Sequence, residues 1–334
     1  MLEESDRFVC CSAIMKKLVL AAAAVLLFAL ISLFIGVSDV TPQTLLAPSP
    51  DNRALQVLLI SRIPRTLALI LAGASMAVVG MIMQILARNR FVEPSTAGTV
   101  ESATMGILVV TAVAPGTPLF GKMLVSSVFA LAGTAFFLRI LRMIPLRSVL
   151  IVPLVGLMLG GVISAITTFF AYRLDLLQSL NSWMTGDFSG VLRGRYELLW
   201  ISFGLTILAY IAADRFTVAG MGEDFTTNLG MNYRRVMTLG LLIVAMVTAV
   251  VVVSVGMIPF LGLVVPNVVR MFLGDHVRRA LPWIALTGAG FVLVCDIVGR
   301  VVRYPYEIPI GVVVGVAGSF MFLYLLLRRG AHVA

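Results

Sequence analysis

Apolar runs of bilayer length follow one another along this chain with little sequence left between them, and that recurrence constrains the fold more than anything else in it. Crossing a hydrocarbon core takes about 20 apolar helical residues. Runs of this kind lie near 18–37, 66–87, 95–113, 120–141, 150–172, 197–213, 236–255, 258–273, 281–301 and 308–327. The expected fold class is all-α and polytopic, with about ten transmembrane helices in a single membrane domain over 18–328. The remaining ends, 1–17 and 329–334, read as short cytoplasmic tails. Composition leaves little room for a soluble domain: 60% of the 334 residues are apolar and 12% charged, against roughly 45–50% and 25% in soluble proteins.

Two of the ten runs, 95–113 and 258–273, are short and broken by Gly and Pro. Broken segments of this sort line pathways in transporters. The first run has a rival reading, since Met15-Lys16-Lys17 ahead of an alanine-rich stretch has the outline of a signal peptide. Its apolar length exceeds the roughly 7–15 residues of a signal core, and no small-x-small cleavage site precedes Ser38, so it reads as an anchor.

The net charge of +9 sits in small groups at segment ends. That distribution reports topology rather than nucleic-acid binding. With the N-terminus inside, 16 of the 25 lysines and arginines fall on the cytoplasmic side, which places both termini there. The nine outside, Arg62, Arg65, Arg193, Arg195 and Arg300 among them, call for a reason of their own.

Few residues are equipped for chemistry. Cys10, Cys11 and Cys295 make no disulfide framework, and His276 and His332 alone do not build a metal centre. Gly116 to Lys122 matches the first seven positions of a P-loop, but Met123 stands where a hydroxyl must hold magnesium, so energy from ATP has to come from another chain. Gln84, Glu101 and Asp296 are polar groups inside apolar runs. Asp296 admits two readings, an ion pair with Arg300 one helical turn on or a proton relay.

The longest polar interruption is Asp214 to Arg235, DRFTVAGMGEDFTTNLGMNYRR, which cannot lie in hydrocarbon and reads as a docking surface. Small residues at Gly73, Ala77 and Gly80, at Gly156 and Gly160, and at Gly311 and Gly315 have the spacing of closely packed helices. A likeness between ARNRFVEPSTAG and MIPFLGLVVPNVVR hints at two inverted halves.

The ordered motifs RIPR (62–65), ARNRFVEPSTAG (87–98), PFLGLVVPNVVRMFLGDHVRRALP (259–282), TGAGFVLVCDIVGR (287–300) and EIPIGVVVGVAGSF (307–320) resemble the FecCD family of ABC-importer permeases over about residues 50–328. The resemblance implies a non-catalytic permease with a BtuC-like ten-helix fold. It also implies two cytoplasmic ATPase subunits that carry the ATP and magnesium, a second permease subunit, and a periplasmic or lipid-anchored binding protein. No cofactor is expected in this chain. The RNRFVEPSTAG wording points to a ferric siderophore of catecholate type, and to a heterodimer over a homodimer, in the bacterial inner membrane. By resemblance, Arg62, Arg65 and Arg300 receive the binding protein outside. Thr226, Thr227, Asn228, Leu229, Gly230 and Arg234 couple to the ATPase inside. Ser164, Thr167, Thr168 and Ser319 line the translocation path. Vitamin B12 or haem is the alternative cargo, and a proton-coupled secondary transporter working through Asp296 is the rival mechanism.

Overall fold

The computed structural model describes residues 2–36, 53–144 and 151–330. Arg147, residue 1 and residues 331–334, which entered the topology argument or the expected tails, lie outside them. Every described element is helical. We number the principal helices α1 (Leu2–Phe34), α2 (Ile63–Leu86), α3 (Thr99–Val113), α4 (Leu119–Met143), α5 (Ile151–Arg173), α6 (Leu199–Ile211), α7 (Ala213–Gly220), α8 (Glu223–Asn228), α9 (Tyr233–Val255), α10 (Leu261–Leu273), α11 (Val277–Val301) and α12 (Ile310–Gly330).

Among the described residues, six helices are long and apolar enough to cross a membrane, and the bent pair α6–α7 makes a seventh. Three shorter apolar helices, at Thr99–Val113, Leu261–Leu273 and Ile310–Leu325, occupy the remaining expected positions. The ten runs of the sequence thus each correspond to a helical segment. The expected N-terminal tail is not a separate piece, because α1 starts at Leu2 and runs unbroken into the first span.

The hub is α2, buried along nearly its whole length among α6, α9, α10 and α11. A chain can surround a helix on all sides only where its backbone can be approached, and two glycines allow it. A Cβ on Gly80 would lie 2.1 Å from the Gly262 Cα in α10, and one on Gly73 would lie 2.8 Å from the Gly288 carbonyl oxygen in α11. Gly156 and Gly160 do the same for α5, which they bring against Thr96 and Glu101. The spacing motifs of the sequence are therefore contact points.

The two interrupted runs meet at mid-bundle. After α2 the chain turns at Arg88 and passes through Val92 to Gly98 in non-α conformation before α3 begins. After α9 it passes through Gly256 to Phe260 before α10 begins. Glu93, 2% exposed, accepts a hydrogen bond of 2.8 Å from the Phe260 backbone N–H at the start of α10. Gln84 of α2 donates to the Gly262 carbonyl at 3.2 Å and accepts from Arg270 at 2.8 Å. In an apolar interior each of these groups needs such a partner. The broken segments are held to each other and to the hub.

Candidate functional site

At one end of the bundle the polar run 214–235 is not a loop. Helix α6 bends by 63° into α7, whose Ala213, Phe216 and Ala219 are buried against the ends of the long helices. A single turn then leads to α8, only six residues long. Two local bonds hold α8 in place. Thr226 is buried and its Oγ1 donates to the Val218 carbonyl at 3.2 Å and to the Gly222 carbonyl at 2.5 Å. At the other end Gly230, at φ +77°, closes the helix, with its N–H on the Thr227 carbonyl at 2.9 Å and the Met231 N–H on the Thr226 carbonyl at 3.1 Å. These are the two bonds of a Schellman stop, which needs a left-handed residue where Gly230 stands.

Of the six residues expected to couple to an ATPase, Thr227, Asn228, Leu229, Gly230 and Arg234 are exposed, and Thr226 is the inward peg. The sequence reading missed Phe225 and Met221, apolar side chains that, like Leu229, stand exposed in this segment. Three large apolar groups on a polar end of a membrane protein mark a contact. The available signal was the helical spacing of Met221, Phe225 and Leu229 at i, i+4 and i+8 within an otherwise polar run.

At the opposite end the expected docking arginines form a different constellation. Arg65 binds Asp296 Oδ1 at 2.7 Å and Glu307 Oε2 at 2.6 Å. Arg300 pairs with Asp296 Oδ2 from the next turn of α11, and donates to the Ser32 and Ile35 carbonyls at 3.0 and 2.7 Å. Arg62 also donates to the Ile35 carbonyl. Of the three arginines expected to receive the binding protein, Arg62 and Arg300 are buried in the single chain, at 7% and 3% exposure. They cap the C-terminal carbonyls of α1, a helix otherwise little covered by the bundle, and Arg300 together with Arg65 neutralises Asp296. Both oxygens of Asp296 are engaged by guanidiniums. The ion-pair reading of Asp296 thus holds. The arginines that do stand exposed include Arg173, Arg193, Arg195 and Arg303, and the Arg193 N–H bonds the Ile60 carbonyl at 3.0 Å, next to Arg62.

The expected path residues divide. Thr168 and Ser319 are exposed and Ser164 is half-buried, while Thr167 points inward and donates to the Ile163 carbonyl at 2.7 Å. The P-loop look-alike spans the turn after α3 and the first turn of α4, after a helix rather than a strand. No cluster of three or more metal-ligating side chains occurs among the described residues.

Residues 24–328 match the FecCD transport family. The petrobactin import system permease protein YclN of Bacillus subtilis (strain 168) is 49% identical over 92% of this chain and 96% of its own length. The ferric-anguibactin transport system permease protein FatD of Vibrio anguillarum (strain ATCC 68554 / 775) is 41% identical, covering 89% of this chain and 94% of its own. A solved inward-facing metal-chelate type ABC transporter superposes with a TM-score of 0.78 at 24% identity, over 94% of this chain and 99% of that one. At that identity the likeness concerns the fold.

Proposed function

The chain belongs to the FecCD transport family, and from that premise we propose that it carries a ferric siderophore of catecholate type across the bacterial inner membrane, with both termini cytoplasmic. As a family member it is a multi-pass, non-catalytic permease subunit of an ABC importer, working with ATPase and binding-protein partners. The cargo rests on one observation: relatives at 49% and 41% identity over nearly full length are named for petrobactin and anguibactin import. A vitamin B12 permease is also related, but at 35% identity over 80% of this chain. Proton coupling through Asp296 has no support, because both of its oxygens are held by arginines.

In this reading α8 and the exposed Met221, Phe225 and Leu229 enter the ATPase, which carries the ATP and magnesium. Outside, the binding protein meets Arg193, Arg195 and Arg303, with Arg65 reached only by exchange against Glu307. The second permease is a different chain, and the path runs between the two. The test is equilibrium binding of ferric catecholate, ferric hydroxamate, haem and vitamin B12 to the cognate binding protein, followed by uptake in cells with and without this chain. The reading expects tight binding and chain-dependent uptake of the ferric catecholate alone. Selective uptake of vitamin B12 or haem would reassign the cargo and leave the permease assignment standing.

A further inference from the structure

Where α4 ends and α9 begins, beside α8, a cavity of about 550 Å³ opens at the surface. Arg139, Arg142 and Arg234 stand on its wall, and its deeper part is apolar, made by Leu138, Met237 and Leu241. A second cavity of about 290 Å³ adjoins it, sharing Leu138, Arg142, Glu223 and Met237 and adding Arg88 and Tyr233.

The charges of this wall are not balanced from within. On the same end of the bundle Arg90 and Arg270 share Asp275, and Arg278 holds Asp214 at 2.5 Å. Arg139, Arg142 and Arg234 have no ion-pair partner among the described residues. Glu223 lies on the wall as well, but does not close on any of them. Three like charges around one cavity repel each other, and an anion between them relieves that repulsion. A guanidinium fork suits phosphate or carboxylate oxygens.

The depth of the cavity narrows the class of anion. From Arg142 to Ala135 along α4 is seven residues, about 10 Å of helix, and Arg234 to Leu241 along α9 repeats the distance. The cavity is therefore basic at the headgroup level and apolar toward the membrane interior. A free phosphate or a carboxylate of a soluble partner uses only the mouth. A molecule with a phosphate head and a hydrocarbon tail uses all of it, and basic pockets between transmembrane helices have this preference. We propose that this cavity binds an anionic phospholipid, its phosphate among Arg139, Arg142 and Arg234 and an acyl chain along Leu138, Met237 and Leu241. Bound there, the lipid ties the end of α4 to the start of α9 and to the segment that carries α8. The inference rests on the chain spanning a bilayer and is independent of the cargo.

The test is native mass spectrometry of the full chain purified in mild detergent and offered phosphatidylglycerol, cardiolipin and phosphatidylethanolamine in equal amounts. Retention of an anionic lipid at about tenfold over phosphatidylethanolamine is expected, equivalent to about 1.4 kcal/mol. The double variant Arg139→Gln/Arg142→Gln should abolish that preference, whereas Arg278→Gln, whose arginine is already paired, should keep it. Thr238→Trp fills the cavity without removing a charge and should block the lipid too, which guards against a misfolded arginine variant. Millimolar inorganic phosphate should leave the lipid in place. Equal retention of the three lipids, unchanged preference in both the double variant and Thr238→Trp, or displacement by inorganic phosphate would each overturn the proposal.

Discussion

Asp296 shows how one carboxylate can decide the state of several neighbours. It is 2% exposed and held between Arg65 and Arg300, and Arg300 in turn holds the end of α1. Removing one member of a buried pair leaves the others charged and unpaired, which costs about 3–5 kcal/mol. Asp296→Ala should therefore lower the melting temperature of the purified protein sharply and reduce its amount in the membrane. Asp296→Ala combined with Arg300→Leu should recover part of the loss, because it removes one orphaned charge together with the acid. A double variant no more stable than Asp296→Ala would deny the coupling. The i,i+4 spacing of Asp296 and Arg300 was legible in the sequence, but Arg65 lies 231 positions away and was read as a docking residue. A charge at the mouth of a membrane protein looks the same on paper whether it faces a partner or pins a helix end; only the position of Ser32 and Ile35 decides it.

Among the elements, the half-helix α10 depends most on something outside itself. Its first backbone N–H groups have no partner within the helix, and the residue before it is Phe260, which has no side-chain acceptor. Glu93, from the break before α3, supplies the acceptor. Glu93→Leu leaves those donors bare in an apolar interior at about 1–3 kcal/mol each. Thermal unfolding should fall accordingly, and Glu93→Gln, which keeps an acceptor, should fall less. Equal stability of the two variants would show that Glu93 does not cap α10. The broken character of both runs was visible as Gly in 95–113 and as Gly and Pro in 258–273, yet their meeting was not, since a cap is ordinarily sought just before its own helix and this one comes from 167 positions earlier. The polar run 214–235 was read as a docking surface, and its division into α7 and α8 was not legible from periodicity, because a six-residue helix such as α8 carries too little of it.

For the whole molecule, the uncovered faces say where the rest of the transporter belongs. One face of α5, with Leu154, Leu157, Met158 and Phe169, and one of α12, with Val316, Phe320 and Leu323, remain exposed in the single chain. Lipid can cover them, but a path between two permeases also needs polar points facing water, and Thr168 and Ser319 are the exposed serine and threonine hydroxyls on these helices. Thr167 and Thr168 separate the alternatives, because neighbours on a helix point about 100° apart. In a background with Cys10 and Cys11 replaced by Ser, and with Cys295 buried, Thr168→Cys and Ser319→Cys should react with a water-soluble maleimide in the assembled transporter. Thr167→Cys, at 1% exposure, should not. Bound ferric siderophore should slow the first two. Reaction at Thr167→Cys as fast as at Thr168→Cys would put the path on the other side of α5, and silence at Thr168→Cys and Ser319→Cys would assign these faces to lipid.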